Sequence, residues 1–376
     1  MSQNALRLHS DFRKVGFLVG TRPDIIKMSP VIKLAQESNL NTLIIHSGQH
    51  YSPQFDKSIF DDVLLSEPDY RINDIKQCEF AGEQIAEMLI GIEEVLRKEQ
   101  PDIFFVYGDT NSCLAGALAA HNENIPVGHI EAGLRSDDWR MPEERNRVIV
   151  DHIADYLFCP TNKAVDNAQK DAVHGQIELT GNTVTDAVQT HLPVAEDKST
   201  ILQDLNIESD QYFVLTTHRD ENITNRTIIK KIIRSIEQVQ QKYDKKIIFP
   251  AHFRTQKQLE EFDLRTQLEG IKGVSVIDPL GYLDFLKLQA NTSLVLTDSG
   301  GVQEECCILQ VPCVTLRDNT ERPETVEVGA NIVAGTQPSS VMDAVEEMLR
   351  RTRDWSNPFG DGRASERILS KISKIN

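Results

Sequence analysis

Two Rossmann-like α/β domains with a cleft between them are what this sequence predicts, on three observations. At 376 residues the chain exceeds one ordinary hydrophobic core and fits about two domains at ~150 residues each. Short apolar runs alternate with amphipathic stretches, the pattern of parallel strands covered on both faces by crossover helices. That alternation begins twice.

In the first half "VGFLVG", "TLIIH", "DIFFVYGD", "IPVGHI" and "YLFCP" read as buried strands, with "SPVIKLAQE" and "SCLAGALAAHN" as helices between them. The polar "HLPVAEDKSTILQDLNIESDQ" reads as a linker. Domains of 1–185 and 186–376 follow, with the final helix expected to pack back on the first. In the second half "YFVLTTH", "KKIIFPAH", "VSVID", "SLVLTD", "PCVTL" and "NIVAG" are strands. The helices between them are "IIKKIIRSIEQVQQKY", "YLDFLKLQA" and "GGVQEECCILQ".

Composition narrows the function classes. With 40% hydrophobic and 26% charged residues and no ~18-residue apolar run, no membrane partner is expected. A net charge of -17 argues against nucleic acid, whose phosphates need a basic footprint. The six cysteines have neither disulfide-scaffold nor zinc spacing and the N-terminus lacks an apolar signal core, so free thiols in the cytoplasm are expected.

In such folds chemistry gathers at strand ends. "GTRPDIIK" places a turn glycine, a capping Thr21 and the cations Arg22 and Lys27 after the first strand, an anion site or an ordinary capped turn. "VYGDTNS" ends another strand with Asp109, as a helix cap or a polar group of the site. "LTTHRDEN" puts His218 after a strand, where it can move a proton or hold a phosphate. In "LTDSGGVQEE", Ser299, Gly300 and Gly301 open a helix whose N–H groups and dipole favour phosphate. Glu305 lies one turn further, within reach of a ribose or simply matched to the dipole.

The stretch "HIEAGLRSDDWRMPEERNR" crowds opposed charges into a segment leaving a strand. Glu143 and Arg147, four apart after Pro142, share a helix face with Asp151 a turn on. They form either a surface ion-pair ladder or carboxylates held beside Glu131 for acid and base work. Neither G-x-G-x-x-G nor a Walker-type P-loop is present. No cofactor is implied. No metal is implied either, because no His and carboxylate cluster has ligand spacing.

Taken in order, these motifs resemble the non-hydrolysing UDP-N-acetylglucosamine 2-epimerases, of glycosyltransferase-B-like fold. "SGQHYS", "TGNTVTDA" and "RPETVEVGAN" extend the likeness over nearly the whole chain. The resemblance implies C2 epimerisation of UDP-N-acetylglucosamine (UDP-GlcNAc) to UDP-N-acetylmannosamine (UDP-ManNAc), by elimination and re-addition of UDP through 2-acetamidoglucal. It implies catalytic roles for Asp109, Glu131, Glu143, His218, Lys27 and Arg147. It also implies a UDP cradle of Arg22, Ser299, Gly300, Gly301 and Glu305, with Phe285 rather than Tyr282 near uracil.

A second UDP-GlcNAc activates bacterial relatives, and Gln49, His50 and His252 occupy related positions. The chain departs from the bacterial pattern at Asp220 and in "RSDDWRMPEE". A homodimer is a family expectation. The alternatives are a 2-epimerase of a related UDP-acetamido sugar and a glycosyltransferase of the same fold, which would act only with an acceptor. A catalytically idle nucleotide-sugar sensor ranks behind both.

Overall fold

The computed structural model describes residues 13–49, 53–72, 75, 78 and 80–372. The chain divides into two compact units, 1–189 with 359–376, and 190–358. The first unit carries β1 (Lys14–Val19), β2 (Asn41–His46), β3 (Tyr70–Arg71), β4 (Ile103–Tyr107), β5 (Val127–Ile130), β6 (Tyr156–Cys159) and β7 (Gln176–Leu179). The second carries β8 (Tyr212–Thr216), β9 (Lys246–Pro250), β10 (Val274–Ile277), β11 (Leu294–Thr297), β12 (Cys313–Thr315) and β13 (Asn331–Val333).

Both sheets are parallel, in the orders β3-β2-β1-β4-β5-β6-β7 and β10-β9-β8-β11-β12-β13. The order in which strands are added reverses once in each, at β1/β4 and at β8/β11, and such switch points are where doubly wound sheets bind ligands. The edge strands β3 and β7 had no expectation. Two residues give β3 no periodicity, and β7 reads "QIEL" with Leu179 exposed.

Period-2 alternation explains why these runs are strands. In the second unit Phe213, Leu215, Ile247, Phe249, Leu294 and Leu296 share a cluster with Ile229, Ile233 and Ile236 of helix Arg226–Tyr243. Their neighbours Tyr212, Val214, Ile248 and Val295 join the opposite cluster with Leu288 and Cys306. Both faces are thus buried, so the strands read as continuous apolar runs. In the first unit Leu18, Phe104, Val106 and Leu157 pack with Met88 and Ile92 of helix Ala81–Glu99.

The polar stretch read as a linker is mostly helix, Thr183–Lys198 followed by Ile201–Asp204. Buried Val184, Ala187, Val188, His191 and Ala195 recur at helical spacing beneath its polar letters. Asp186 explains the return of the chain's end to the first unit. Its carboxylate accepts from the backbone N–H of Ser365 (2.8 Å) and Ala364 (3.2 Å), capping helix Ala364–Ile372, which packs on helix Arg22–Glu37.

Among the described residues, no helix is long and apolar enough to cross a membrane. One buried carboxyl is poised near neutrality. Asp24, accepting from the Thr21 N–H at 3.1 Å, is pushed up to about 7 by burial, with the Asp109 charge adding to the shift. A folded-state pKa above the ordinary carboxylate value makes its contribution to stability greatest in acid and lost as pH rises through about 7. Asp24→Asn is therefore expected to melt above the parent at pH 8, with the gap closing towards pH 4. A gap independent of pH in thermal melts rejects that account.

Candidate active site

At the β1 end, Gly20 is held so close that a Cβ would lie 2.2 Å from the Oγ atoms of Ser47 and Ser112. That approach lets helix Arg22–Glu37 start directly at the carboxyl end of the central strand β1, with Lys27 on its buried side. Lys27 Nζ donates to Glu131 Oε2 at 3.0 Å, and the Tyr107 hydroxyl at the β4 end donates to the same oxygen. All three side chains are largely buried, and the Lys27 ammonium sits 5.6 Å from the Tyr107 ring centroid. Glu131 itself has φ 68°, a left-handed conformation unusual for a non-glycine residue and typical of functional turns.

Asp109 follows Gly108, whose φ of +65° suits glycine. Helix capping falls to Thr110 instead, whose Oγ1 accepts from Cys113 N at 3.2 Å, so the Asp109 carboxylate is left to pair with Arg147. Arg147 also pairs with Glu144 at 3.1 Å, and Asn146 donates to the Asp109 carbonyl at 3.0 Å. The expected Glu143 and Arg147 pairing is thus corrected to Glu144, which is buried and also accepts from Ser136 and Asp137. Glu143 is exposed, because a helix of 3.6 residues per turn placed Glu144, not Glu143, on the buried side. Asp151, one turn beyond Arg147 on the same buried face, is fully buried and pairs with His129 and Arg135.

In the second unit the fully buried Asp298, at the β11 end, organises the β8 turn. It accepts from Thr217 Oγ1 (2.6 Å), the backbone N–H of His218 and Arg219 (3.1 Å each) and Asn222 Nδ2 (3.0 Å). His218 is left half-exposed with Nδ1 3.3 Å from Asp298. Partial desolvation, helped by Arg219 and Arg317, holds its pKa below the usual imidazole value against the pull of Asp298.

Ser299 stands at the N-cap position of helix Gly300–Ile308 without a capping hydrogen bond from its side chain. A Cβ on Gly301 would meet nothing within 4 Å, and on Gly300 only Glu321 Oε2 at 3.6 Å. The glycines are therefore not required by the protein's own packing, and leave the helix N-terminus open to an anion. Of the two following acids, Glu304 is fully buried on Arg322 at 2.5 Å, whereas Glu305 is partly exposed. Arg317, after β12, is held by Glu221 at 2.8 Å and Glu321 at 2.9 Å. Despite burial, Arg317, Arg219 and Arg322 keep the Glu321 carboxyl at about 2.

Tyr282 is buried edge-on to His191, while Phe285 is only partly buried at the rim of its cluster. Arg22, partly exposed, opens its helix. Gln49 Oε1 accepts from Ser112 N at 2.8 Å and Ser112 Oγ at 2.7 Å. His252 caps helix Phe253–Glu261 beside an exposed Arg254–Asp220 pair. His50 lies outside the described residues.

Sequence reasoning passed over Tyr107, Asp298 and Arg317. Each stands at or just after the end of an apolar strand, a signal that was present.

A family model for UDP-N-acetylglucosamine 2-epimerase matches residues 32–373. The chain belongs to that family. The UDP-N-acetylglucosamine 2-epimerase of Methanocaldococcus jannaschii is 49% identical over 359 residues, 95% of this chain and 98% of that one. A crystal structure of M. jannaschii UDP-GlcNAc 2-epimerase in complex with UDP-GlcNAc and UDP superposes with a TM-score of 0.88, covering 96% of this chain and 99% of the other. The family also holds other substrates: the UDP-2,3-diacetamido-2,3-dideoxy-D-glucuronate 2-epimerase of Pseudomonas aeruginosa is 37% identical, covering 96% of this chain and all (100%) of the relative. A glycosyltransferase from Rickettsia africae, 11% identical with a TM-score of 0.59, shares the fold alone, in keeping with the glycosyltransferase-B-like class.

Proposed function

We propose that the protein interconverts UDP-GlcNAc and UDP-ManNAc. Membership of the 2-epimerase family supports this, and the observation that carries it is Glu131, a buried carboxylate bridged by Lys27 and Tyr107.

The C2 proton of the sugar is not acidic, since C2 bears the acetamido nitrogen rather than a carbonyl. Elimination avoids a free carbanion. A carboxylate takes the C2 proton as the C1–O bond breaks, leaving 2-acetamidoglucal and UDP. UDP then adds back to C1 while C2 is protonated on the opposite face. The task needs acids and bases whose environments differ. Here Glu131 is shared by an ammonium and a phenol, Asp109 by a guanidinium, and Glu143 stands exposed.

Retaining UDP through the intermediate is the second requirement, because its loss turns epimerisation into hydrolysis. Ser299, Gly300 and Gly301 would bind the diphosphate at their helix N-terminus, with Arg22, Lys27, Arg147 and His218 supplying donors and charge, so no metal is needed. Glu305 would accept the ribose hydroxyls and Phe285 face the uracil. On this reading Glu305→Ala raises KM for the UDP-sugar about tenfold or more with kcat far less affected. Unchanged UDP affinity removes Glu305 from the ribose.

Cytoplasmic location and homodimerisation belong to the same proposal, the latter with Ile90 and Ile149 exposed on helices Ala81–Glu99 and Pro142–Ile153. The deciding experiment is proton NMR of UDP-GlcNAc with the protein in D₂O, without an acceptor. UDP-ManNAc deuterated at C2 is the expected product. No exchange with UDP-GlcNAc but exchange with a 2,3-diacetamido UDP-sugar would move the substrate to the related class, as in the P. aeruginosa relative. Turnover only with an acceptor would make the protein a glycosyltransferase.

A further inference from the structure

We propose that His129 is a positioning residue for the proposed reaction: a buried imidazolium that, with Asp151 and Arg135, fixes the turns carrying Asp109 and Glu131. The ring is fully buried in β5, two residues before Glu131. Its Nδ1 lies 2.7 Å from Asp151 Oδ1 and its Nε2 2.8 Å from the Gly108 carbonyl, one peptide before Asp109.

Both partners are acceptors. A carboxylate and a carbonyl have no proton to give, so a neutral ring would set a lone pair against one of them. Only the doubly protonated ring satisfies both contacts. The charges agree: Asp151 is also bound by Arg135 at 2.7 Å, and Arg135 reaches Asp171 at 2.9 Å. With His129 cationic, its charge lies in direct contact with the fully buried Asp151 carboxylate, while Arg135 is shared between Asp151 and the partly exposed Asp171. Burial alone would raise the Asp151 pKa, but His129 and Arg135 bring it below the usual carboxylate range. The neighbouring thiols do not compete, since burial pushes Cys113 well up and Cys159 to about 12.

Geometry links this group to both turns. Asp151 accepts from Gly133 N at 3.1 Å, closing the loop after Glu131, while His129 and Cys113 Sγ (3.2 Å) together hold the Gly108 carbonyl. Glu131 has a φ of 68°, a conformation that in a non-glycine residue persists only where the surroundings over-determine it. His129 touches neither Asp109 nor Glu131 by side chain, so it acts through backbone placement and charge.

This inference rests on the epimerase reading for its kinetic readout only. The first test needs no activity: ¹H–¹⁵N spectra of the ¹⁵N-histidine-labelled chain at pH 7.5 should show one ring, absent from His129→Gln, with protons on both nitrogens. A bare nitrogen on that ring overturns the proposal. In His129→Gln, kcat is expected to fall ~10- to 100-fold with KM within ~3-fold. The acid limb of the kcat–pH profile should move to higher pH, because loss of a nearby cation raises carboxylate pKa values. If the variant does not fold, the ring is assigned in the parent by through-bond correlation to the His129 backbone, and the parent spectrum then decides. An unshifted acid limb, with kcat tracking the folded fraction, means a merely structural histidine and overturns the proposal too. Failure of the parent to turn over UDP-GlcNAc sinks the substrate reading instead and leaves the spectroscopic result standing.

Discussion

Glu131→Gln is expected to lower turnover by about 10²- to 10⁴-fold, the range that removing a positioned acid or base gives, while UDP binding stays within about tenfold, ~1.4 kcal/mol. The amide keeps an oxygen to accept from Lys27 and Tyr107, so the shape of the group is conserved. What it loses is the ability to exchange a proton. Because the carboxylate is buried, solvent cannot take over the transfer. The paired measurements are C2 deuteration rates by NMR and UDP affinity by calorimetry. A variant turning over within a few-fold of the parent excludes Glu131 from the proton transfer. Equal loss of UDP affinity would mean that Lys27, released from its partner, had altered the binding site instead.

Gly301→Ala is expected to weaken UDP binding ten- to a hundredfold, ~1.4 to 2.7 kcal/mol, without loss of thermal stability. The two readouts separate because the fold has room for the methyl group, which would meet no atom within 4 Å beyond its chain neighbours and its own helix backbone. Alanine is intrinsically the better helix former by up to ~1 kcal/mol, so the melting point should hold or rise. The cost falls on the ligand, whose phosphate oxygens must approach the N–H groups of helix Gly300–Ile308 closely. Unchanged UDP affinity in titration calorimetry rules out the glycine cradle. A lowered melting point would show that the glycines serve the fold after all.

Strand ends were legible because burial on both faces makes a parallel strand a continuous apolar run, and the polar residues that close each run stand out. Asp109, Glu131, His218 and Ser299 were found that way. Helix Thr183–Lys198 was read as linker for the converse reason: one apolar side beneath many polar letters does not announce itself as buried.

Pairings were harder. Glu143 and Glu144 are adjacent and chemically alike, and both lie in the first turn of one helix. Whichever meets Arg147 depends on the rotation of that helix against the sheet, a tertiary quantity. Likewise nothing local marks His129 off from a core histidine until Asp151, Arg135 and the Gly108 carbonyl surround it.

The sequence by itself determined the two α/β units, the strand ends that carry polar groups and the family, since periodicity and ordered motifs are local properties. Only the tertiary structure decided which carboxylate each cation holds, which of Glu304 and Glu305 stays accessible, and that the last helix closes the first unit through Asp186. Those outcomes rest on which side of each helix is buried and on contacts such as Arg322–Glu304 and Ser365–Asp186 between residues distant in the chain, which packing sets and no local pattern encodes.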